Sequence, residues 1–474
     1  MVNCPVLRQR ISLLHMLSTA VVTILAVASV GATAFAQPPD TRQCAPLFVL
    51  GVQGTGQSAP DADPHTDTGF LGDGVLRPLL VRAPGKVDRA YVPYEASFGG
   101  VDGRADVPYS ASVSGGLDRM RQMARQEATR CPDTRFGVLG YSQGSHVASL
   151  FLQEVGRGNG VIAADKVAGA ALFADPTRTP DASLFPGATG RDRPEPAPGT
   201  QGRAVRALAP LPREAATGGG IGPQRDVPAD FGSLTGRVAS WCTVGDLACD
   251  APSGAPILRV VANIVGQSDL HDPLTALGSV SQALAFTALK TAVTVADQDV
   301  QGDSLAGLSL NPKESLSQRV AEASDPRTPV DPAAAVRALF KVATIGLNAV
   351  ATVAKSVLTP ENIAEMVSAG MTNPGAALAV LGTKLAAAVP ELIPPATTSR
   401  LVQQAFTAIE QNALDNTDLL NVATWTKFSD TIARHVSYQT SPIGAGQTAT
   451  SATVGWFNAM ADDADAATHA GGAR

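Results

Sequence analysis

The sequence predicts an α/β fold: a central parallel sheet covered by helices, joined to an all-helical insertion. Three observations carry that prediction. Apolar runs alternate with amphipathic segments from Ala45 to Cys249, the pattern of a parallel sheet buried on both faces. A serine between two glycines stands where one apolar run gives way to a helical pattern. After Cys249 the composition turns alanine-rich, with helix after helix and almost no strand signal.

The elements follow in order. "APLFVLGV" (45–52) reads as a buried strand that runs into the glycine-rich loop "QGTGQS". "VDRAYVPY" (87–94) reads as a second strand. "GGLDRMRQMARQEATRC" (115–131) has helical periodicity. "RFGVLGYS" (135–142) is a strand and "QGSHVASLFLQEVGR" (143–157) an amphipathic helix. "KVAGAALFADP" (166–176) and "GRVASWC" (236–242) supply two more strands. Between them, residues 177–230 are rich in Pro, Gly and Arg and read as a long mobile surface insertion. Residues 252–430 hold the helical candidates 279–299, 332–358, 360–371, 373–389 and 399–414. There Pro360 behind Thr359 has the look of a first-turn proline after a cap.

The whole chain sets bounds. Its 474 residues suit two domains, or one with large insertions. Apolar residues make up 45% and charged ones 16%, a globular composition. Arg8 and Arg10 precede a long apolar stretch that ends in Ala34-Phe35-Ala36. Residues 1–36 are therefore read as a signal peptide, with cleavage after Ala36 and a secreted, extracellular or envelope location. Without those two arginines the formal charge moves from -6 to -8, 34 basic side chains against 42 acidic. That argues against a nucleic-acid partner. The apolar helix around 342–354 is bracketed by Lys341 and Lys355 and is too short to span a bilayer.

Cys4 falls in the leader, which leaves Cys44, Cys131, Cys242 and Cys249. An even number in an exported chain predicts disulfides, with three connectivities open. Zinc is disfavoured, because Cys242 and Cys249 lack a second close pair.

The chemistry centres on "GYSQG" (140–144). In a strand-to-helix turn, G-x-S-x-G lifts a serine hydroxyl above the sheet edge at a helix N-terminus. Ser142 is thus a candidate nucleophile that needs a base and an oxyanion hole. The Gln143 N–H is one candidate donor, and the loop "GVQGTGQS" with Thr55 at its centre the other. Chain order in such enzymes runs Ser, acid, His, which excludes His65. His146 lies one turn along the same helix and reads as a packed or rim residue.

These residues resemble the cutinases, serine esterases of the α/β-hydrolase fold. "GYSQG" has the form of the cutinase elbow. Cys44 and Cys131 stand where that family pairs a cysteine near the mature N-terminus with one before the elbow. "CTVGDLAC" (242–249) fits its C-x-x-x-D-x-x-C signature, whose aspartate is Asp246, and "GVQGTGQS" resembles its oxyanion loop. The resemblance implies disulfides Cys44–Cys131 and Cys242–Cys249, a triad acid at Asp246, and no metal or organic cofactor. It covers about 44–176, 236–250 and a C-terminal piece. The family's histidine usually follows the second cysteine pair closely, and here two candidates compete. His271 stands in "GQSDLHDPLT", whereas His435 opens "HVSYQ", an H-x-S-Y pattern followed by a glycine-containing loop and a closing helix at about 449–461. His435 is the preferred base.

The expected organisation is a cutinase-like α/β-hydrolase domain over 37–251 and 431–474. Residues 252–430 then form a helical insertion between acid and base, placed to act as a cap. The expected function is secreted carboxylesterase or lipase action on lipid or polyester-type esters through an acyl-enzyme, with transient contact to a lipid surface. An acyltransferase built on the same acyl-enzyme and a non-catalytic envelope-binding protein are the alternatives.

Overall fold

The computed structural model describes residues 43–100, 107–301, 309–345, 359–372, 376, 379–380, 383–384 and 399–471. The expected signal peptide, residues 346–358 of the expected helix 332–358, and most of the expected helix 373–389 lie outside the described residues.

Five parallel strands form the sheet: β1 (Leu47–Val52), β2 (Val87–Tyr91), β3 (Arg135–Tyr141), β4 (Val167–Phe173) and β5 (Val238–Trp241). Their order is β2-β1-β3-β4-β5, with β1 and β3 adjacent in the middle. Alternation along β1 serves two cores. Leu47 and Val49 belong to one cluster with Trp456, Phe457 and Met460 of the closing helix Ala449–Gly471. Phe48, Leu50 and Val52 belong to the other, with Met120, Val147 and Phe151 from the helices Tyr109–Arg130 and Gln143–Gly156. The closing helix, ten residues longer than expected, crosses the sheet over Gly169. A Cβ there would lie 2.6 Å from the Trp456 ring.

Two departures from expectation have physical causes. Residues 69–82, to which the sequence reading assigned no element, are helical despite Gly72, Gly74 and Pro78. Phe70, Leu71, Val75, Leu76 and Leu79 are buried in the first cluster, and that burial outweighs propensity. Residues 177–230 are packed, with Leu184, Phe185 and Val205 in the same cluster. Their Pro- and Gly-rich composition sets short turns on an anchored path. Buried Arg178 pins it by donating to the carbonyls of Ala182, Ala216 and Gly218.

Both disulfides form as the resemblance implied, with Cα–Cα distances of 5.6 Å for Cys44–Cys131 and 5.9 Å for Cys242–Cys249.

The region after Cys249 has a core of its own, built from Val260, Ile264, Val280, Ala283, Ala321 and Ile363. The helix Pro256–Gly266, absent from the sequence reading, contributes the first two. Caps start the next helices. Asp272 Oδ1 accepts from Leu274 and Thr275 N–H before Pro273–Thr294, and Ser315 forms a capping box with Gln318 before Leu316–Ser324. Thr359 caps Pro360–Thr372 through the Asn362 N–H, as its sequence suggested. No helix among the described residues is long and apolar enough to cross a membrane.

Candidate active site

Ser142 follows β3 and caps the helix Gln143–Gly156 with φ 54° and ψ -123°. Such a backbone costs on the order of 1–3 kcal/mol and persists only when its surroundings fix it. Here they do. Ser142 N–H donates to Phe173 O on β4 at 2.9 Å, and Ser145 N–H donates to Ser142 O at 2.8 Å. The flanking glycine has a more specific cause than a tight turn. A Cβ on Gly144 would overlap the Val52 carbonyl, so only glycine lets the helix begin against the end of β1.

His435 ends the short helix Thr431–His435. Its Nε2 is 2.8 Å from Ser142 Oγ, and its Nδ1 is 2.9 Å and 3.1 Å from the two carboxylate oxygens of Asp246. The Tyr141 hydroxyl donates to the His435 carbonyl at 3.1 Å, while the Tyr141 ring stacks on Phe70. The residue before the serine thus holds the backbone of the histidine.

Asp246 is buried inside the Cys242–Cys249 loop. Ala248 N–H donates to its Oδ1 at 3.0 Å and Tyr438 OH to its Oδ2 at 2.6 Å. Gly245 N–H donates to Asp250, which pairs with Lys427 at 2.6 Å, and Leu247 N–H donates to Thr431 Oγ1 at 2.8 Å. The segment that leads into His435 therefore grips the loop that carries Asp246.

On the other side, Thr55 Oγ1 donates to Gln143 Oε1 at 3.3 Å, and Gln143 Nε2 donates to Ser97 O at 2.9 Å. This buried side chain ties two loops to the helix start. The Gln143 N–H belongs to the first helical turn, whose donors have no partner within the helix. A cavity of about 360 Å³ opens beside this loop, lined by Gly56, Gln57, Ser58, Ala59, Ala62, Thr68 and Gly69.

The other weighed histidines lie elsewhere. His65 Nδ1 bonds the Arg89 carbonyl. His271 is exposed beside Gly100, and its N–H donates to Asp269. His146 is buried between Tyr109 OH (3.0 Å from Nδ1) and Asp226 (2.9 Å from Nε2). Asp226 also accepts two hydrogen bonds from Arg327 of the helical region, at 3.0 and 2.7 Å. Burial alone would raise the Asp226 carboxyl. The His146 hydrogen bond and the Arg327 guanidinium outweigh it and hold the pKa down to about 2.

Sequence reasoning gave no role to Tyr438, Tyr109, Asp226 or Arg327. Tyr438 had a signal, the last letter of H-x-S-Y. The other three sit in loops and helices with no motif around them.

The arrangement can move a proton. A serine hydroxyl bonded to an imidazole, itself bonded to a buried carboxylate, can lose its proton while attacking an electrophile. The chain also has likenesses among known proteins. The family model described as Cutinase matches residues 62–258. The carboxylesterase Culp6 homolog of Corynebacterium glutamicum is 30% identical over 220 residues, which cover 45% of this chain and 68% of that protein. A cutinase of Botryotinia fuckeliana is 29% identical over 143 residues, covering 29% of this chain and 60% of that one. Among solved structures, the catalytic core domain of acetyl xylan esterase from Trichoderma reesei aligns over 51% of this chain and 99% of its own, with 17% identity and a TM-score of 0.30.

Proposed function

The chain belongs to the cutinase family and is a carboxylic ester hydrolase, and from that premise we propose that it hydrolyses lipid or polyester-type esters through an acyl-enzyme on Ser142. The single observation that supports this most is the hydrogen-bonded series Ser142–His435–Asp246. Ser142 Oγ attacks the ester carbonyl and its proton passes to His435 Nε2. Asp246 fixes the imidazole tautomer and steadies the imidazolium. The oxyanion is received by the Gln143 N–H, with Thr55 on the facing loop. Collapse expels the alcohol, which takes the proton from Nε2. Water then attacks the acyl-enzyme, gives a proton to His435, and releases the acid as that proton returns to Ser142.

The finer substrate class rests on surface character. Ile432 and Val436, on the turns that carry His435, are 78% and 57% exposed. Apolar side chains beside the base suit a lipid or polymer surface. Two disulfides favour an oxidising compartment, in keeping with secretion. The helical insertion is rooted at Cys249 and at Thr431, both beside Asp246, so we read it as a cap that selects acyl chains.

Hydrolysis of p-nitrophenyl esters of graded chain length, emulsified triacylglycerol and a polyester film tests the reading. Wild-type turnover on these and its loss in Ser142→Ala is the expected result. Turnover that survives in Ser142→Ala would overturn it. So would a protein that attacks only short soluble esters, for the lipid and polyester part.

A further inference from the structure

We infer that Tyr438 is a positioning residue for the reaction: its hydroxyl locks the outer oxygen of Asp246, so that the carboxylate is presented to His435 in one orientation. The inference rests on the Ser142–His435–Asp246 reading above.

A buried carboxylate needs donors on both oxygens. Oδ1 has His435 Nδ1 at 2.9 Å and Ala248 N–H at 3.0 Å. Oδ2 has Tyr438 OH at 2.6 Å and a longer approach to His435 at 3.1 Å. The Tyr438 bond is the shortest of the four, as charge-assisted O–H···O⁻ bonds are. Without it, one oxygen of a fully buried anion keeps only the longer imidazole contact. The carboxylate is then free to rotate.

Tyr438 is itself held for that purpose. Its ring meets Phe70 and Phe173 edge-on, with centroids 6.2 and 5.9 Å away. Thr243 N–H donates to the phenol oxygen at 3.2 Å, which leaves the hydroxyl proton for Asp246. Cys249 Sγ lies 3.4 Å from the same oxygen, so the disulfide backs the contact. Burial, and then the neighbouring negative charge of Asp246, push the phenol pKa well above its ordinary value. It therefore stays a donor throughout the working range. It stands three positions after His435, and the turn Ser437–Gln439 that holds it follows the histidine's helix after the single residue Val436. One short segment thus delivers both partners to a single carboxylate. The other ionisable groups facing this cluster are Tyr141, Glu214, Arg178, and Asp250 with its partner Lys427.

The test is Tyr438→Phe in the full chain, with p-nitrophenyl butyrate kinetics followed across pH. We expect kcat to fall about tenfold or more with KM nearly unchanged, as for other groups that orient a reacting residue. The acid limb of kcat/KM should also move to higher pH. An Asp246 stripped of a donor interacts more strongly with a positive charge on the imidazole. In an Asp246→Asn background, Tyr438→Phe should add little further loss. An acid limb in its wild-type position, or an additive loss in that background, would overturn the inference. If Tyr438→Phe does not fold, site-specific 3-fluorotyrosine at 438 replaces it. This stronger donor should move the limb to lower pH, and an unmoved limb counts against the role. An inactive wild type would instead sink the triad reading, a distinguishable failure.

Discussion

His435 Nδ1 lies 2.9 Å from Asp246 Oδ1, although 189 residues separate the two in sequence. The returning end of the intervening region is tied back to the segment around Asp246, through Lys427 to Asp250 and Thr431 to Leu247. The helical region therefore starts and ends beside Asp246, and His435 arrives where it ends.

Replacing His435 by alanine should therefore lower kcat by on the order of 10^4-fold. His271→Ala, at an exposed position beside Gly100, should keep most of the turnover. Steady-state kinetics on a soluble ester checks both. Reversed results would make the helical region an appendage behind a different base.

The Cys242–Cys249 disulfide should matter twice. In the chain-entropy account, a loop this short stabilises the fold by about 2–3 kcal/mol. It also fixes the backbone around Asp246, one residue of which is pinned by Thr431 from outside the loop. The double change to serine should lower Tm and lower kcat more than it raises KM. A fall in Tm with an unchanged kcat would show that the loop holds Asp246 without its staple.

Much of this site was legible in the sequence because its residues lie in short motifs. The elbow, the disulfide loop and H-x-S-Y each place a functional group within a few residues of a turn that must form. The two disulfides follow the family spacing for the same reason. What was not legible depends on distant packing. The helical stretch 69–82 exists because Leu71, Val75 and Leu79 find the sheet. The partners of His146 come from 37 residues upstream and 80 downstream, with no local pattern to announce them. The packed path of 177–230 was hidden by its Pro and Gly content, which reports turn formation and says nothing of burial.

The ion pairs around Asp226 give a pH-dependent prediction. Its folded pKa of about 2 lies below the ordinary 3.8. The corresponding stabilisation, about 2 kcal/mol, is present above pH 4 and is lost as the pH falls towards 2. Arg327→Ala removes the guanidinium that helps to hold that pKa down. The variant should melt below the wild type at neutral pH, and the gap should close as the pH is lowered through this window. Calorimetry as a function of pH reads it. A gap that stays constant through the acid range would mean that Arg327 acts through packing alone.

The cap reading makes its own demand. Residues 256–428 replaced by a short linker should give an enzyme that shifts its preference towards bulky polymeric esters. Competition between short, long and polymeric substrates measures the shift. An unchanged preference in a folded truncation would leave the insertion with a stabilising role only.

The most direct measurement of the central claim is labelling by an alkyl fluorophosphonate, located by peptide mass spectrometry. Folded wild-type protein should carry one adduct, on Ser142, and His435→Ala should label far more slowly under the same conditions. Wild-type protein that resists the probe, or His435→Ala protein that labels at the wild-type rate, would contradict an activated Ser142 served by His435.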